Sequence, residues 1–258
     1  MSYSAELASS LHDDCAKIRA ELDVSFLEIV RAGHAAPDQQ VREYLLHGVG
    51  RRLGVLRECL AAVFARFEPA RTAPLSQVEL YEVQINLHAF VINLSGLFDN
   101  LAWAFVLRHS LLKKVGGRKR VGMFLRSTQS FLPAVLREYV TSPTMVAWYG
   151  DYLKAYRDSL AHRIPLYIPP ATFTPQDQQR YVELDDQERA CILAHEWEQV
   201  EQARNEKLNL GKACPLFVIL IGENSESKPN YLHPQMLCDA KTVLEFCPLF
   251  LEHWHAVA

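Results

Sequence analysis

Glycine is scarce in this sequence, with 11 residues among 258, where about 18 would be average at roughly 7%. The scarcity disfavours a turn-rich all-β sandwich and a glycine-rich nucleotide-binding sheet, because both depend on glycine at tight turns. The sequence also lacks a G-x-x-x-x-G-K-S/T loop, a G-x-G-x-x-G turn and an H-E-x-x-H helix. These absences exclude the common phosphate-cradling loops and favour a mainly helical protein.

The six cysteines form no C-x-x-C pair, so the sequence predicts neither a zinc ribbon nor a thioredoxin-like redox pair. They are typical of mostly buried thiols in a reduced compartment. The N-terminal residues include acids and lack the basic start and apolar core of a signal peptide. The longest apolar runs, 101–107 and 216–221, are far shorter than the roughly 20 residues that span a bilayer. We therefore expect a soluble cytoplasmic protein with no membrane association, and no pattern predicts a metal or another cofactor.

Acidic residues are absent from residues 101–137, a segment that carries eight basic residues. The rest of the chain carries 19 basic and 30 acidic residues, so the total of −3 conceals a strongly basic segment. Such a segment is a candidate surface for a phosphate-rich partner. A solvated basic loop that pairs with acids elsewhere in the fold explains the same pattern. Six of the eight are the candidate RNA-binding residues: Arg108, Lys113, Lys114, Arg118, Lys119 and Arg120.

Apolar residues recur every three or four positions in the first half of the chain, which predicts long amphipathic helices. Ser4 is the expected N-cap of a first helix that ends near Gly33. Pro37 is expected in the first turn of a second helix, which runs to about Phe67. These two helices are predicted to belong to a helical bundle.

A capping box of Ser76 and Glu79 predicts the start of the core helix of the bundle. Three asparagines recur along it every seven residues and so fall on one line: Asn86, Asn93 and Asn100. Asp99 lies beside them. Two interpretations stay open, because Asn93, Asp99 and Asn100 suit either a polar groove or dimer face, or the hydrated edge of a packed helix.

Residues 165–258 are predicted to form an extension of the same single domain, which comprises residues 1–258. Proline makes the segment 164–170 either extended or a turn. A short β-branched run follows at 215–222, and the two segments are predicted to form a small β element, with Tyr231 and Leu232 as an alternative partner of the second. The fold class is therefore mainly α, a helical bundle with a small β element in its last third.

Helices are also predicted on both sides of this β element. Thr174 and Pro175 begin a helical stretch, and Asp185 or Asp186 is the expected cap of a long helix that reaches Leu210. A last helix begins at Pro234, and Pro248 predicts a kink or a break in it.

A helix capped by Ser142 ends near Ile164 and carries Arg157, Asp158 and His162, which we call the motif. The motif resembles that of the HEPN superfamily, in which an arginine is followed by a polar residue and, four to six positions further, by a histidine. Arg42 with His47 and Arg189 with His195 have similar spacings. Only Arg157 is followed by a favoured polar residue, and only His162 lies at a helix end before a proline-fixed turn.

The resemblance implies an all-helical bundle that forms a homodimer, in which the motifs of two protomers make one composite site. Many HEPN proteins are metal-independent endoribonucleases of toxin–antitoxin or antiviral defence systems, with an antitoxin as partner protein. Others have lost activity and bind only nucleotides or partners. Carried over to this chain, Arg157 and His162 are the catalytic pair and Asp158 is the accessory polar residue. A non-catalytic helical module that binds a nucleotide or a protein partner is the alternative function.

The position of the motif suits acid–base chemistry on RNA. His162 lies in the last helical turn, where unpaired carbonyls favour imidazolium, and Asp158 lies four residues earlier on the same face. Arg157 precedes His162 by five residues, about 140° around a helix, so one helix splays the pair. Two antiparallel copies across a dimer axis could bring the two side chains to one phosphate.

Overall fold

A computed structural model describes residues 3–219 and 229–257 of the chain. Its described part is mainly α-helical and contains one two-stranded antiparallel sheet near the C-terminus, so the predicted fold class is confirmed. The cysteines are free thiols and all are buried except Cys238, as expected.

The elements follow one another in the order α1 (Ala5–Ala35), α2 (Gln39–Glu43), α3 (Arg51–Arg66), α4 (Gln77–Arg108), α5 (Arg126–Gln129), α6 (Ala134–Thr141), α7 (Pro143–Ala147), α8 (Lys154–His162), α9 (Pro175–Leu193), α10 (Trp197–Leu208), β1 (Leu216–Phe217), β2 (Asn230–Tyr231) and α11 (Leu232–His253). Two π-helical segments, Tyr44–Gly50 and Trp148–Leu153, join α2 to α3 and α7 to α8. A 3₁₀ turn covers Arg118–Arg120.

The helix α4 is the centre of the bundle and packs against α3, α2, α8 and α11. Its capping box forms as predicted, since the Glu79 N–H donates to Ser76 Oγ and the Ser76 N–H donates to the Glu79 carboxylate. Among the described residues, α4 is the one helix long and apolar enough to cross a membrane. However, 61% of its most apolar stretch is buried inside the fold, as in the core helix of a soluble protein.

The second predicted helix is confirmed over most of its length but begins later. Asp38 is its N-cap, with Oδ1 accepting a hydrogen bond from the Val41 N–H at 3.0 Å, and Pro37 lies before the cap. In the π-helical segment that follows, Gly48 approaches α4 closely, because a Cβ at this position would lie 2.9 Å from Asn100 Cγ.

The predicted helix boundary at Asp185 or Asp186 is wrong. Both residues lie inside α9, and the break comes at residues 194–196, where His195 has a φ of 59°. The carboxylates of Asp185 and Glu188 instead pair with Lys207 of α10, so their role is to join two antiparallel helices.

The small β element uses both predicted pairings. Leu216 and Phe217 pair with Tyr231 and Asn230, and an isolated antiparallel bridge joins Val218 to Tyr167 of the extended segment. Residues 220–222 of the predicted strand lie outside the described part of the chain. The last helix begins at Leu232 rather than at Pro234, and it continues past Pro248 to His253, so no break occurs there.

Candidate active site around Arg157 and His162

The motif lies on α8, whose position is fixed by two buried side chains and by its C-terminal turn. Tyr156 and Ser159 face the core, and Ser159 Oγ donates a hydrogen bond to the Ile164 carbonyl. Arg163 has extended backbone angles, while its N–H still donates to the Ser159 carbonyl. The helix therefore ends at His162, in front of the proline-fixed segment that the sequence predicts.

Arg157 is held between two carboxyl groups. Its side chain is 34% exposed, and Nη2 donates to Asp158 Oδ1 at 2.8 Å. Burial raises the pKa of the Asp99 carboxyl on α4, and the positive charges of Arg157 and Arg52 partly offset this rise. Arg157 Nε is buried and has no hydrogen-bond partner among the described residues. The guanidinium is thus anchored electrostatically against α4 and keeps a donor without a protein acceptor.

The asparagine line of α4 serves a contact within the chain. Arg52 of α3 donates from Nε to Asn100 Oδ1 at 2.8 Å and from Nη1 to Asn93 Oδ1 at 2.9 Å. Gly96 makes room for it, because a Cβ there would lie 2.4 Å from Arg52 Cζ. Within the described residues, Asn86 donates to the carbonyl of Glu82, one turn earlier. Asn93 and Asn100 therefore position Arg52, a residue that the sequence analysis did not single out.

His162 is the last residue of the same helix. It is exposed, and among residues 3–219 and 229–257 no hydrogen bond or ion pair joins it to another side chain. Asp158, expected to orient its ring, is engaged by Arg157 instead. One chain therefore does not bring Arg157 and His162 together, in keeping with their separation of about 140° around the helix.

An aromatic wall flanks the carboxylates. The ring of Tyr149 stacks on Phe124, with centroids 3.9 Å apart and planes within 14°. Burial raises the pKa of Tyr149, and its surrounding charges include Arg157, Asp99 and Asp158. The sequence analysis missed Tyr149, which precedes Arg157 by eight residues and so falls near the same side of the helix. Because Phe124 belongs to this wall, the segment that follows the basic turn Arg118–Arg120 lies directly beside the motif.

The six candidate RNA-binding residues share one property. Within the described ranges, none of them forms an ion pair with an acid, although the basic residues of α9 and α10 do, as Arg180, Arg189, Arg204 and Lys207 show. The alternative interpretation, a solvated basic loop that pairs with acids elsewhere in the fold, therefore finds no such ion pair among the described residues.

These six residues do not form a single patch. Arg118 lies over the ring of Trp103 at 5.1 Å, and Trp103 stacks on Tyr44 on the side of α4 near Asp99. Arg108 follows Trp103 by five residues, about 140° around α4, and lies over Trp254 instead. Of these two arginines, only Arg118 lies on the side of α4 that adjoins the motif.

The two other matches to the motif have different surroundings. Arg42 donates to the Ala36 carbonyl at 3.0 Å, and the segment between it and His47 changes from α- to π-helix. Arg189 pairs with Asp185, and His195 lies in the break after α9. Arg189 also lies beside a second carboxyl group, that of Asp186 at 4.0 Å, but its side chain is 73% exposed, against 34% for Arg157.

Within the described residues, no group of three or more His, Cys, Asp or Glu side chains could hold a metal ion. Comparisons with protein-family models, with curated proteins and with solved structures gave no match.

Proposed function

We propose that this chain is a HEPN-like endoribonuclease that acts as a homodimer and needs no metal ion, with Arg157 and His162 as its catalytic pair. The observation that carries the proposal is the contrast within α8. Arg157 is held by Asp99 of α4 and by Asp158 of its own helix, whereas His162 is exposed at the helix end with its ring free to meet a substrate.

The chemistry follows from these two side chains. His162 removes the proton of a ribose 2′-hydroxyl, or protonates the leaving 5′-oxygen, since an imidazole can act as a general base or a general acid. The 2′-oxygen attacks phosphorus, the bond from phosphorus to the 5′-oxygen breaks, and the products carry a 2′,3′-cyclic phosphate and a 5′-hydroxyl. Arg157 stabilises the charge on the pentacoordinate phosphorane. Asp158 is the accessory residue that holds Arg157 in place.

The dimer would rest on an unpartnered face of α4. Val78, Ile85 and Ile92 are 68, 66 and 39% exposed, and they recur every seven residues on a line that continues to Asp99. Exposed apolar residues in a continuous stripe are typical of an interface. A second copy seated on this stripe would lie next to Arg157, so its own His162 could complete the site that one chain leaves open.

The RNA backbone would be held by the unpaired basic residues that adjoin the motif. Arg52 and Arg157 face the carboxyl groups of Asp99 and Asp158, so these four side chains offer little net charge to a phosphate. The positive charge that would hold the RNA backbone therefore comes from Arg118 and from Lys119 and Arg120, which follow it in the chain. A cytoplasmic location, a role as a toxin or antiviral effector, and an antitoxin partner protein belong to the same proposal.

The second candidate function is a non-catalytic module that binds a nucleotide or a protein partner. It is favoured by one specific observation: Arg157 already has two carboxyl groups of its own chain beside it, which also suits a purely structural arginine.

The test is cleavage of single-stranded RNA by the purified full chain in EDTA, with analysis of the RNA ends. We expect 2′,3′-cyclic phosphate ends. His162→Ala should lower the rate by about 10²- to 10⁴-fold, the usual contribution of a general acid or base. Arg157→Ala should lower it by about 10²- to 10³-fold.

Arg42→Ala and His47→Ala are the matched controls, since this pair has the same spacing and lies outside the proposed site. Both should cleave at the wild-type rate. Activity that persists in both Arg157→Ala and His162→Ala would exclude the proposed site, and RNA binding without cleavage by the wild type would favour the binding module.

A further inference from the structure

A second cationic site lies at the C-terminal end of α4, on the side away from Asp99. It is a cavity of about 330 Å³ between this helix end, the start of α2 and the residues after α11. The residues that line it are Pro37, Asp38, Val41, Arg108, His109 and His255.

Two contacts hold the Arg108 side chain beside this cavity. Its guanidinium lies 4.4 Å from the centre of the buried Trp254 ring, and Nη2 donates to His255 Nδ1 at 2.8 Å. His109 is also tied down, because its Nε2 donates to the Trp254 carbonyl at 2.8 Å. Since His255 accepts at Nδ1, its proton lies on Nε2, where it can be donated to a ligand.

The charges around the cavity are unbalanced. Arg108 has no acidic partner in the described part of the chain, and an adjoining cavity of about 380 Å³ adds Arg31 beside Arg108 and His255. Burial first, and then the positive charges of Arg108 and His109, hold the pKa of His255 below its usual range. Asp38 is the one acidic residue that lines either cavity, and one of its oxygens caps α2.

We propose that this cavity binds the phosphate group of a small phosphate monoester, with Arg108 as the principal donor and the two histidines beside it. The planar guanidinium matches two phosphate oxygens at once. A monoester at neutral pH is largely dianionic, and one arginine with two protonatable imidazoles suits a dianion better than the single charge of a backbone phosphodiester. The site faces away from the motif, so the proposal does not depend on the ribonuclease activity.

Binding should change the ionisation of His255. When Arg108 turns its Nη2 donor to a phosphate oxygen, Nδ1 of His255 is left free to accept a proton, and the phosphate stabilises the imidazolium. The pKa of His255 should therefore rise when the ligand binds, which histidine resonances in an NMR titration report directly.

The test measures binding of inorganic phosphate and of a ribonucleoside 5′-monophosphate to the full chain, by calorimetry and by histidine NMR. We expect saturable binding of the monophosphate, at least as tight as that of inorganic phosphate. Arg108→Gln should weaken it by about 10-fold or more, the usual effect of losing a charge-assisted hydrogen bond. Arg126→Gln is the matched control, since Arg126 lines neither cavity, and it should bind as the wild type does.

Asp38→Asn separates binding from misfolding. Asparagine caps a helix as well as aspartate does, while its amide no longer repels the ligand. This variant should bind about fivefold more tightly, a gain that a damaged fold would not produce. No saturable binding of the monophosphate, equal weakening in the Arg108→Gln and Arg126→Gln variants, or tighter binding of inorganic phosphate than of the monoester would each overturn the proposal.

Discussion

Two buried ionisable side chains on α11 have pKa values shifted in opposite directions. Asp239 is fully buried, and burial raises its pKa from 3.8 to about 6, although Trp148, Tyr152 and Gln235 all donate hydrogen bonds to its carboxylate. Burial lowers the pKa of His233 from 6.5 to about 4, even though its Nε2 donates to a backbone carbonyl. Together they predict an unusual dependence of stability on pH.

The magnitudes follow from linkage, at about 1.36 kcal/mol for each pKa unit. The Asp239 carboxyl binds its proton more tightly in the folded state, so it contributes about 3 kcal/mol below pH 3.8, and this is lost as the pH rises through 6. His233 binds its proton less tightly in the folded state, so it contributes about 3 kcal/mol above pH 6.5, and this is lost as the pH falls through 4. In the wild type the two contributions nearly cancel over this window.

Single substitutions should expose each contribution. In Asp239→Asn only His233 remains, so the free energy of unfolding should rise by about 3 kcal/mol between pH ~4 and ~6.5, relative to the wild type. In His233→Gln only Asp239 remains, so the free energy of unfolding should fall by about the same amount over this pH range. Both replacements keep a hydrogen-bonding group in place. Urea unfolding of the wild type, both single variants and the double variant at several pH values measures the effect.

The double variant is the control, because it should regain the pH profile of the wild type. If the wild type and both single variants show the same slope against pH, neither group carries the shifted pKa, and the reasoning from burial fails.

Two further predictions concern α4 and α3. Gly96→Ala should destabilise the protein by about 1–3 kcal/mol, because the new Cβ would displace Arg52 from its two hydrogen bonds, and thermal unfolding measures this loss. Gly54→Ala is its control in α3, where a Cβ meets nothing within 4 Å, and it should stabilise by roughly 0.5–1 kcal/mol. Glu79 is paired with Arg71, which together with the cap lowers its pKa to about 2. The free energy of unfolding of the wild type should therefore exceed that of Glu79→Gln by about 1 kcal/mol above pH 4.5, and this difference should vanish as the pH falls towards 2. A difference that persists at pH ~2 would contradict this reasoning.

Helix starts were predictable where one side chain caps its own helix. Ser4, Ser76 and Ser142 each accept a hydrogen bond from a backbone N–H three residues later, and such a signal is complete within four residues of sequence. The break after α9 was not predictable, because it depends on a tertiary contact. Asp185 resembles a cap in the sequence, but its carboxylate pairs with Lys207 across the two antiparallel helices.

The candidate site was predictable only along α8. The spacing of the motif locates Arg157 and His162, but the groups that hold Arg157 and extend its cluster come from other helices. Arg52 reaches Asn93 and Asn100 from positions 41 and 48 residues away in the chain. A sequence pattern at fixed spacing carries no information about such contacts, so neither Arg52 nor its link to Asp99 could be inferred from it.

On α4, a recurrence of residues every seven positions does not by itself show which side of the helix is free for a partner. Two lines recur every seven residues on this helix, and they are offset by one residue, which is about 100°. The polar line, with Asn93 and Asn100, turns towards α3 and is occupied by Arg52. The apolar line, with Ile85 and Ile92, turns towards solvent and leads to Asp99 beside Arg157. The polarity of the first line suited either a partner surface or the edge of a packed helix, and the contacts of Asn93 and Asn100 with Arg52 fit the second, so the proposed dimer is assigned to the apolar line.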